Sequence, residues 1–149
     1  MSSCGTYRYS LRRRWAPGAS IMFLMLNPST ADAHRDDPTI KRCIGFARQW
    51  GYSSLVVGNL FAFRTAFPKA LKRCSEPIGP ENNDWLTALA GESDTLVAAW
   101  GNHGQLPGRC QHVRTMLPGL MCLGLTRRGE PRHPLYVPRS AELVPLPGA

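Results

Sequence analysis

The sequence predicts an α/β protein, a three-layer α/β/α sandwich around a four-stranded parallel sheet. Three observations lead there. Four short apolar runs, Ile21–Leu26, Leu55–Gly58, Thr95–Trp100 and Leu120–Leu125, alternate with segments of helical periodicity. The runs are brief and lack polar alternation, as do strands buried on both faces. Polar residues then follow the runs, namely Asn27, Asn59, Asn102 and Thr126. A chain of 149 residues fits one domain, 1–149, with a core of useful size.

Residues 1–19 read as an N-terminal arm or edge strand, since Tyr7, Tyr9 and Leu11 alternate with polar residues before Arg12-Arg13-Arg14. Pro17-Gly18 turns the chain into the first buried strand. Pro28 cannot donate to a ladder and keeps Asn27 out of helix, so that strand stops at Asn27. Asp37 is a good N-cap and Pro38 a good first helical residue. Ile40, Cys43, Ile44, Ala47 and Trp50 then recur at helical spacing, and Gly51 closes the helix. Leu55–Gly58 completes a βαβ unit, which implies parallel strands.

A long irregular stretch with Pro68, Pro77 and Pro80 holds a brief helix around Lys69–Cys74 and reads as a functional loop. Pro80 opens the next helix, with Trp85, Leu86, Leu89 and Ala90 on one face. Thr95–Trp100 is the third strand. A helix from Pro107 to Leu117 leads to the fourth, Leu120–Leu125. The tail, 126–149, is rich in Pro and Arg, carries His133-Pro134, and reads as wrapping the surface.

Composition excludes several classes. Five cysteines form no CxxC pair, so neither a disulfide framework nor a zinc or iron–sulfur site is signalled. Reduced thiols in a cytoplasmic protein are expected. The six-residue run after Arg12-Arg13-Arg14 is too short for a signal peptide or a membrane span. P-loop, GxGxxG and GxSxG motifs are missing, and the histidines form no HExxH set. No metal or cofactor is expected. Nothing in the spacing supports Ser29 as a nucleophile with His103 or His133. The net charge of +8 favours a polyanionic partner, although a basic soluble surface gives the same number.

In a parallel sheet the ends of the strands share one edge, where Asn27, Asn59, Asn102, Thr126 and His133 converge. Asparagine is also a common turn former, so the force lies in the coincidence of three. Amides present paired donors and acceptors that suit a nucleobase edge, and Phe61 or Phe63 can stack on a base. Those two phenylalanines share a face, so core packing is the alternative for at least one.

The segments NPSTAD, DDPTIKRCIGFARQWGY, VVGNLFAFRT, AAWGNHG and RHPLY resemble the DUF1643 family of small bacterial proteins over about Tyr7–Pro145. A more distant resemblance is to the uracil-DNA glycosylase superfamily. Met25-Leu26-Asn27-Pro28, Val57-Gly58-Asn59, Trp100-Gly101 and His133-Pro134 are similar, in order, to motifs at its strand ends. That resemblance implies the same four-stranded fold and roles in cleaving an N-glycosidic bond in DNA. Asn27 would orient the attacking water, with Asp32 or Asp36 supplying the base an amide cannot be. Asn59 would read an extruded base and Phe61 or Phe63 would stack on it. His133 would donate to the leaving base. Pro28, Ser29, Gly101 and Asn102 would shape the pocket. Arg12, Arg13, Arg14, Arg64 and Arg132 would meet the backbone phosphates.

The chain departs from that pattern at Met25, where the motif has glycine, and in the shorter His-Pro-Leu-Tyr segment, whose Leu135 would be the wedge. The expected partner is nucleic acid, DNA rather than RNA, or a nucleotide. The rival classes are a non-catalytic nucleic-acid or nucleotide-binding module and an enzyme acting on a free or modified nucleoside or nucleotide.

Overall fold

The computed structural model describes residues 6–29, 35–103 and 108–147. The strands are β1 (Leu11–Arg14), β2 (Ser20–Met25), β3 (Ser54–Asn59), β4 (Thr95–Ala98), β5 (Met121–Cys122) and β6 (Val144–Pro145). The helices are α1 (Pro38–Gln49), α2 (Pro68–Arg73), α3 (Asn82–Glu92) and α4 (Arg109–Met116). Short 3₁₀ turns occupy Gly101–His103 and Pro134–Tyr136.

The six strands form one sheet in the order β1-β3-β2-β4-β5-β6. β3, β2, β4 and β5 pair in parallel, while β1 joins β3 and β6 joins β5 antiparallel. The expected sheet of four parallel strands is therefore corrected to a mixed sheet of six. Leu11–Arg14 is held as an edge strand with Leu11 opposite Val57. The fourth apolar run contributes only Met121–Cys122 to the ladder, because the chain turns away after it at Gly124, where φ is 103°. The tail does more than wrap the surface. It supplies β6 and buries Val137 and Leu146.

β2 lies at the centre and is apolar on both faces for that reason. Met22 and Leu24 pack with Leu86 and Leu89 of α3 and Val113 of α4. Ile21, Phe23 and Met25 pack on the opposite face with Ile40, Cys43 and Phe46 of α1. Each fully buried side chain of this kind contributes about 1.5–3 kcal/mol. Gly58 allows α3 to seat, since a Cβ there would stand 2.6 Å from Leu86 Cδ2 and 2.9 Å from Met22 Cε.

α1 begins as its residues dictate. Pro38 opens it, and the Asp37 carboxylate accepts from the Ile40 N–H at 2.9 Å, satisfying a donor that the first turn leaves unpaired. From β2 the chain crosses through α1 to β3 on one side. It then returns past β2 through α2 and α3 to β4 on the other. Connections leave the neighbouring strands β2 and β4 in opposite directions, and the sheet opens a crevice at their carboxyl ends.

Candidate functional site

A cavity of about 630 Å³ occupies that crevice. Every parallel strand contributes to its wall. Met25, Leu26 and Asn27 come from the end of β2, and Val57 and Asn59 from β3. Trp100, Gly101 and Asn102 follow β4, and Thr126 and Arg127 follow β5. Arg132, His133, Leu135 and Tyr136 close one side, and Ser29, Thr65 and Ala66 another. The amino end of α1 reaches the same space through Asp37, Thr39 and Ile40.

Asn27 is fixed by its amide nitrogen, which donates to the carbonyls of Thr65 at 2.7 Å and Pro28 at 3.0 Å. Both amide hydrogens are thereby used, and what the side chain can offer a ligand is its acceptor oxygen. Pro28 is buried and takes part through that carbonyl, not as lining. Ser29 lines the cavity, and its carbonyl accepts from Arg64 Nε at 3.0 Å.

Asn59 is 2% exposed, yet its Nδ2 has no hydrogen-bond partner among the described residues. An unmade hydrogen bond on a buried donor costs about 1–3 kcal/mol. The backbone beneath it is held firmly. Asn82 Nδ2, from the start of α3, donates to the carbonyls of Asn59 at 2.9 Å and Leu60 at 3.2 Å. Arg109 Nε, from the start of α4, donates to Leu60 at 2.7 Å. Burial pushes the Arg109 pKa down to about 10, so it stays charged at neutral pH beside the Asn59 end of the site.

His133 is half-buried. Its Nδ1 accepts from the Leu135 N–H at 3.2 Å, which leaves Nε2 as the protonated nitrogen of a neutral ring. Burial pushes its pKa below the ordinary histidine value, and the charge of Asp37 pulls it partly back. The ring lies 5.5 Å from that of Tyr136. The far side of the cavity is set by Trp100, whose Nε1 donates to Glu130 at 2.8 Å, and by Asn102, whose Oδ1 accepts from Thr126 at 2.7 Å. Gly101 turns at φ 73° and spends its N–H on the Pro131 carbonyl.

Several sequence-derived candidates stand elsewhere. Phe61 is 0% exposed in the core, and Phe63 packs against the same cluster; neither lines the cavity. A ring without accessible surface offers no face to a base, and the aromatic side chain with surface at this site is Tyr136. Asp36 lies outside the lining, 2.7 Å from Arg13 Nε in an ion pair. Arg13 is engaged by that pair, and Arg12 is paired with Glu92 at 2.8 Å. Arg14 donates to the Ala16 carbonyl. Of the five arginines expected at phosphates, Arg132 lines the cavity and Arg64 braces its wall through Ser29. Asp32 falls outside the described residues.

Among the wall residues that the sequence reading missed are Asp37 and Arg8. Asp37, read only as a helix cap, is the one carboxylate among the described residues that lines the cavity. Arg8 lines it as well and is 4% exposed. The cap signal in Asp37-Pro38 was present; that the cap faces a cavity follows from α1 starting at the carboxyl edge. Among the described residues, no group of three or more His, Cys, Asp or Glu could hold a metal ion, and no helix is long and apolar enough to cross a membrane.

No curated protein and no solved structure matches the chain. The family described as "Protein of unknown function (DUF1643)" matches residues 8–135, which spans β1 through the cavity-lining segment His133–Leu135. The chain therefore belongs to the DUF1643 family.

Proposed function

We propose that this protein recognises a nucleobase in the cavity at the carboxyl edge of its sheet and hydrolyses the N-glycosidic bond of that nucleotide in DNA. The observation that carries the reading is Asn59. Asn59 lines the cavity, and its buried amide nitrogen has no hydrogen-bond partner among the protein's described residues. A base edge supplies an acceptor for it. The order of the motifs supports a uracil-DNA glycosylase-like arrangement: Asn27-Pro28, Asn59, Trp100-Gly101 and His133-Pro134 all meet at one edge of the sheet.

In this reading Asn27 Oδ1 accepts a hydrogen bond from the attacking water and aims it. An amide does not take the proton, and the Asp37 carboxylate does. One of its oxygens is held by the Ile40 N–H. The water oxygen bonds to the sugar C1′ as the C1′–N bond breaks, and the bonding pair leaves with the base. His133 Nε2–H donates to the oxygen on which that charge develops. A neutral imidazole suits this task, because it gains a stronger hydrogen bond as the charge forms. A binding module that keeps the pocket without the chemistry is the second reading. The amide at position 27, where a carboxylate would be a better base, favours it.

The test is a glycosylase assay on single-stranded and duplex oligonucleotides carrying uracil, hypoxanthine or a mismatched base. Abasic-site formation that disappears in Asn27→Ala and in His133→Ala supports the enzyme. Cleavage unaffected by either substitution contradicts the assigned roles. Base binding without cleavage of any substrate selects the module.

A further inference from the structure

We infer that the mouth of the cavity is a single-stranded nucleic-acid clamp, in which Phe67 and Tyr136 stack the bases on either side of the one that enters. The inference rests on the base-recognition reading above and adds to it the form of the substrate.

Large apolar side chains on the outside of a protein are ordinary when scattered. These are not scattered. Phe67 is 73% exposed and follows Ala66, which lines the cavity. Tyr136 is 76% exposed and itself lines the cavity, beside Leu135 at 41%. Phe67 belongs to the loop after β3, and Tyr136 to the segment after β5. In the sheet β3 and β5 are separated by β2 and β4. The two aromatic side chains thus belong to different loops, each with a residue on the cavity wall.

Charge on both lips matches a polyanion. The Phe67 side carries Arg64, Lys69 and Arg73, and no acid stands between Arg64 and Arg73. The Tyr136 side carries exposed Arg127, Arg128, Arg132 and Arg139; within residues 127–139 the one acid is Glu130, which is buried against Trp100, while Asp37 lines the cavity near His133. Aromatic faces set among arginines and lysines are what binds unpaired strands, since every base has a face to stack and every nucleotide a phosphate. In a duplex the neighbouring bases are already stacked on each other, and the two lips gain nothing from them.

The test is fluorescence anisotropy with a labelled single-stranded DNA 15-mer and the corresponding duplex, on wild type, Phe67→Ala, Tyr136→Ala and Tyr136→Phe. The expected result is a preference of tenfold or more for the single strand. Phe67→Ala and Tyr136→Ala each weaken single-strand binding by about 5- to 150-fold. Tyr136→Phe retains it. Both side chains are exposed, so circular dichroism of the variants should match wild type. Equal affinity for duplex and single strand overturns the inference, as does alanine substitution at both sites without effect. Asn59→Ala separates it from the reading beneath it. If the lip variants fail to bind the strand while Asn59→Ala binds it unchanged, the clamp stands and base reading falls. If Asn59→Ala loses base discrimination while the lip variants bind as wild type does, the clamp alone falls.

Discussion

Replacing Asn59 by leucine should stabilise the protein while removing its ligand recognition. The two side chains branch at the same carbon, and leucine's methyl groups are bulkier than the amide atoms they replace. The backbone stays where it is, because Asn82 holds the Asn59 carbonyl and β3 remains paired with β2 through Met25. What changes is the buried Nδ2, which has no partner among the described residues. An unsatisfied buried donor costs about 1–3 kcal/mol, and leucine removes that cost while adding apolar contact. Part of the gain is lost where the new methyl groups adjust against Met25 and Val57, which gives a net stabilisation of about 1–2 kcal/mol. For a chain of this size that raises Tm by about 2–8 °C. Urea unfolding of the two proteins measures the difference directly, and binding of nucleobases should vanish in the leucine variant. A variant less stable than wild type by 1 kcal/mol or more refutes the reasoning, because the amide would then be satisfied within the fold.

Three further outcomes follow from the same geometry. Asp37→Asn keeps an effective helix cap and should change stability by no more than about 0.5 kcal/mol while lowering turnover; Asp37→Ala loses the cap as well and should cost about 1 kcal/mol more in thermal unfolding. Because burial holds the His133 pKa below its unfolded value of 6.5, the unfolded chain binds the extra proton first, so stability should fall as pH drops from 6.5 toward the folded pKa. Thermal scans across that window should show the loss, and His133→Gln should show less of it. Gly58→Ala places a Cβ against Leu86 and Met22 and should cost about 1–3 kcal/mol in urea unfolding, with Leu86→Ala in the same chain relieving part of the clash.

Much of this arrangement could be read from the residues. Ile21–Leu26 is apolar without interruption because β2 has helices on both faces, and that pattern needs no structure to interpret. The polar residues at the strand ends were legible for the same reason: parallel strands bring their ends to one edge. Other parts were hidden in physical terms. β6 is two residues long and one is proline, so it carries no periodicity. Within residues 1–19, read as an arm or edge strand, only the fold shows that Leu11–Arg14 is the part that pairs with β3.

Asp36 and Asp37 are neighbours with identical chemistry, and only the fold decides that one pairs with Arg13 while the other faces the cavity. Phe61 and Phe63 share one face of the chain, which leaves open whether that face is core or pocket. The packing of α3 and α4 beneath it makes it core. Phe67 and Tyr136 gave no signal at all, because exposure at a cavity mouth depends on where two distant loops come to rest.

The measurement that bears most directly on base recognition is the side-chain amide NMR signal of Asn59, assigned by its loss in Asn59→Leu and followed while free nucleobases are titrated into the wild-type protein. Base recognition predicts that this signal moves to saturation with at least one base, as Nδ2 gains the acceptor it lacks. An Asn59 amide unmoved by every nucleobase, in a protein that is folded, contradicts it.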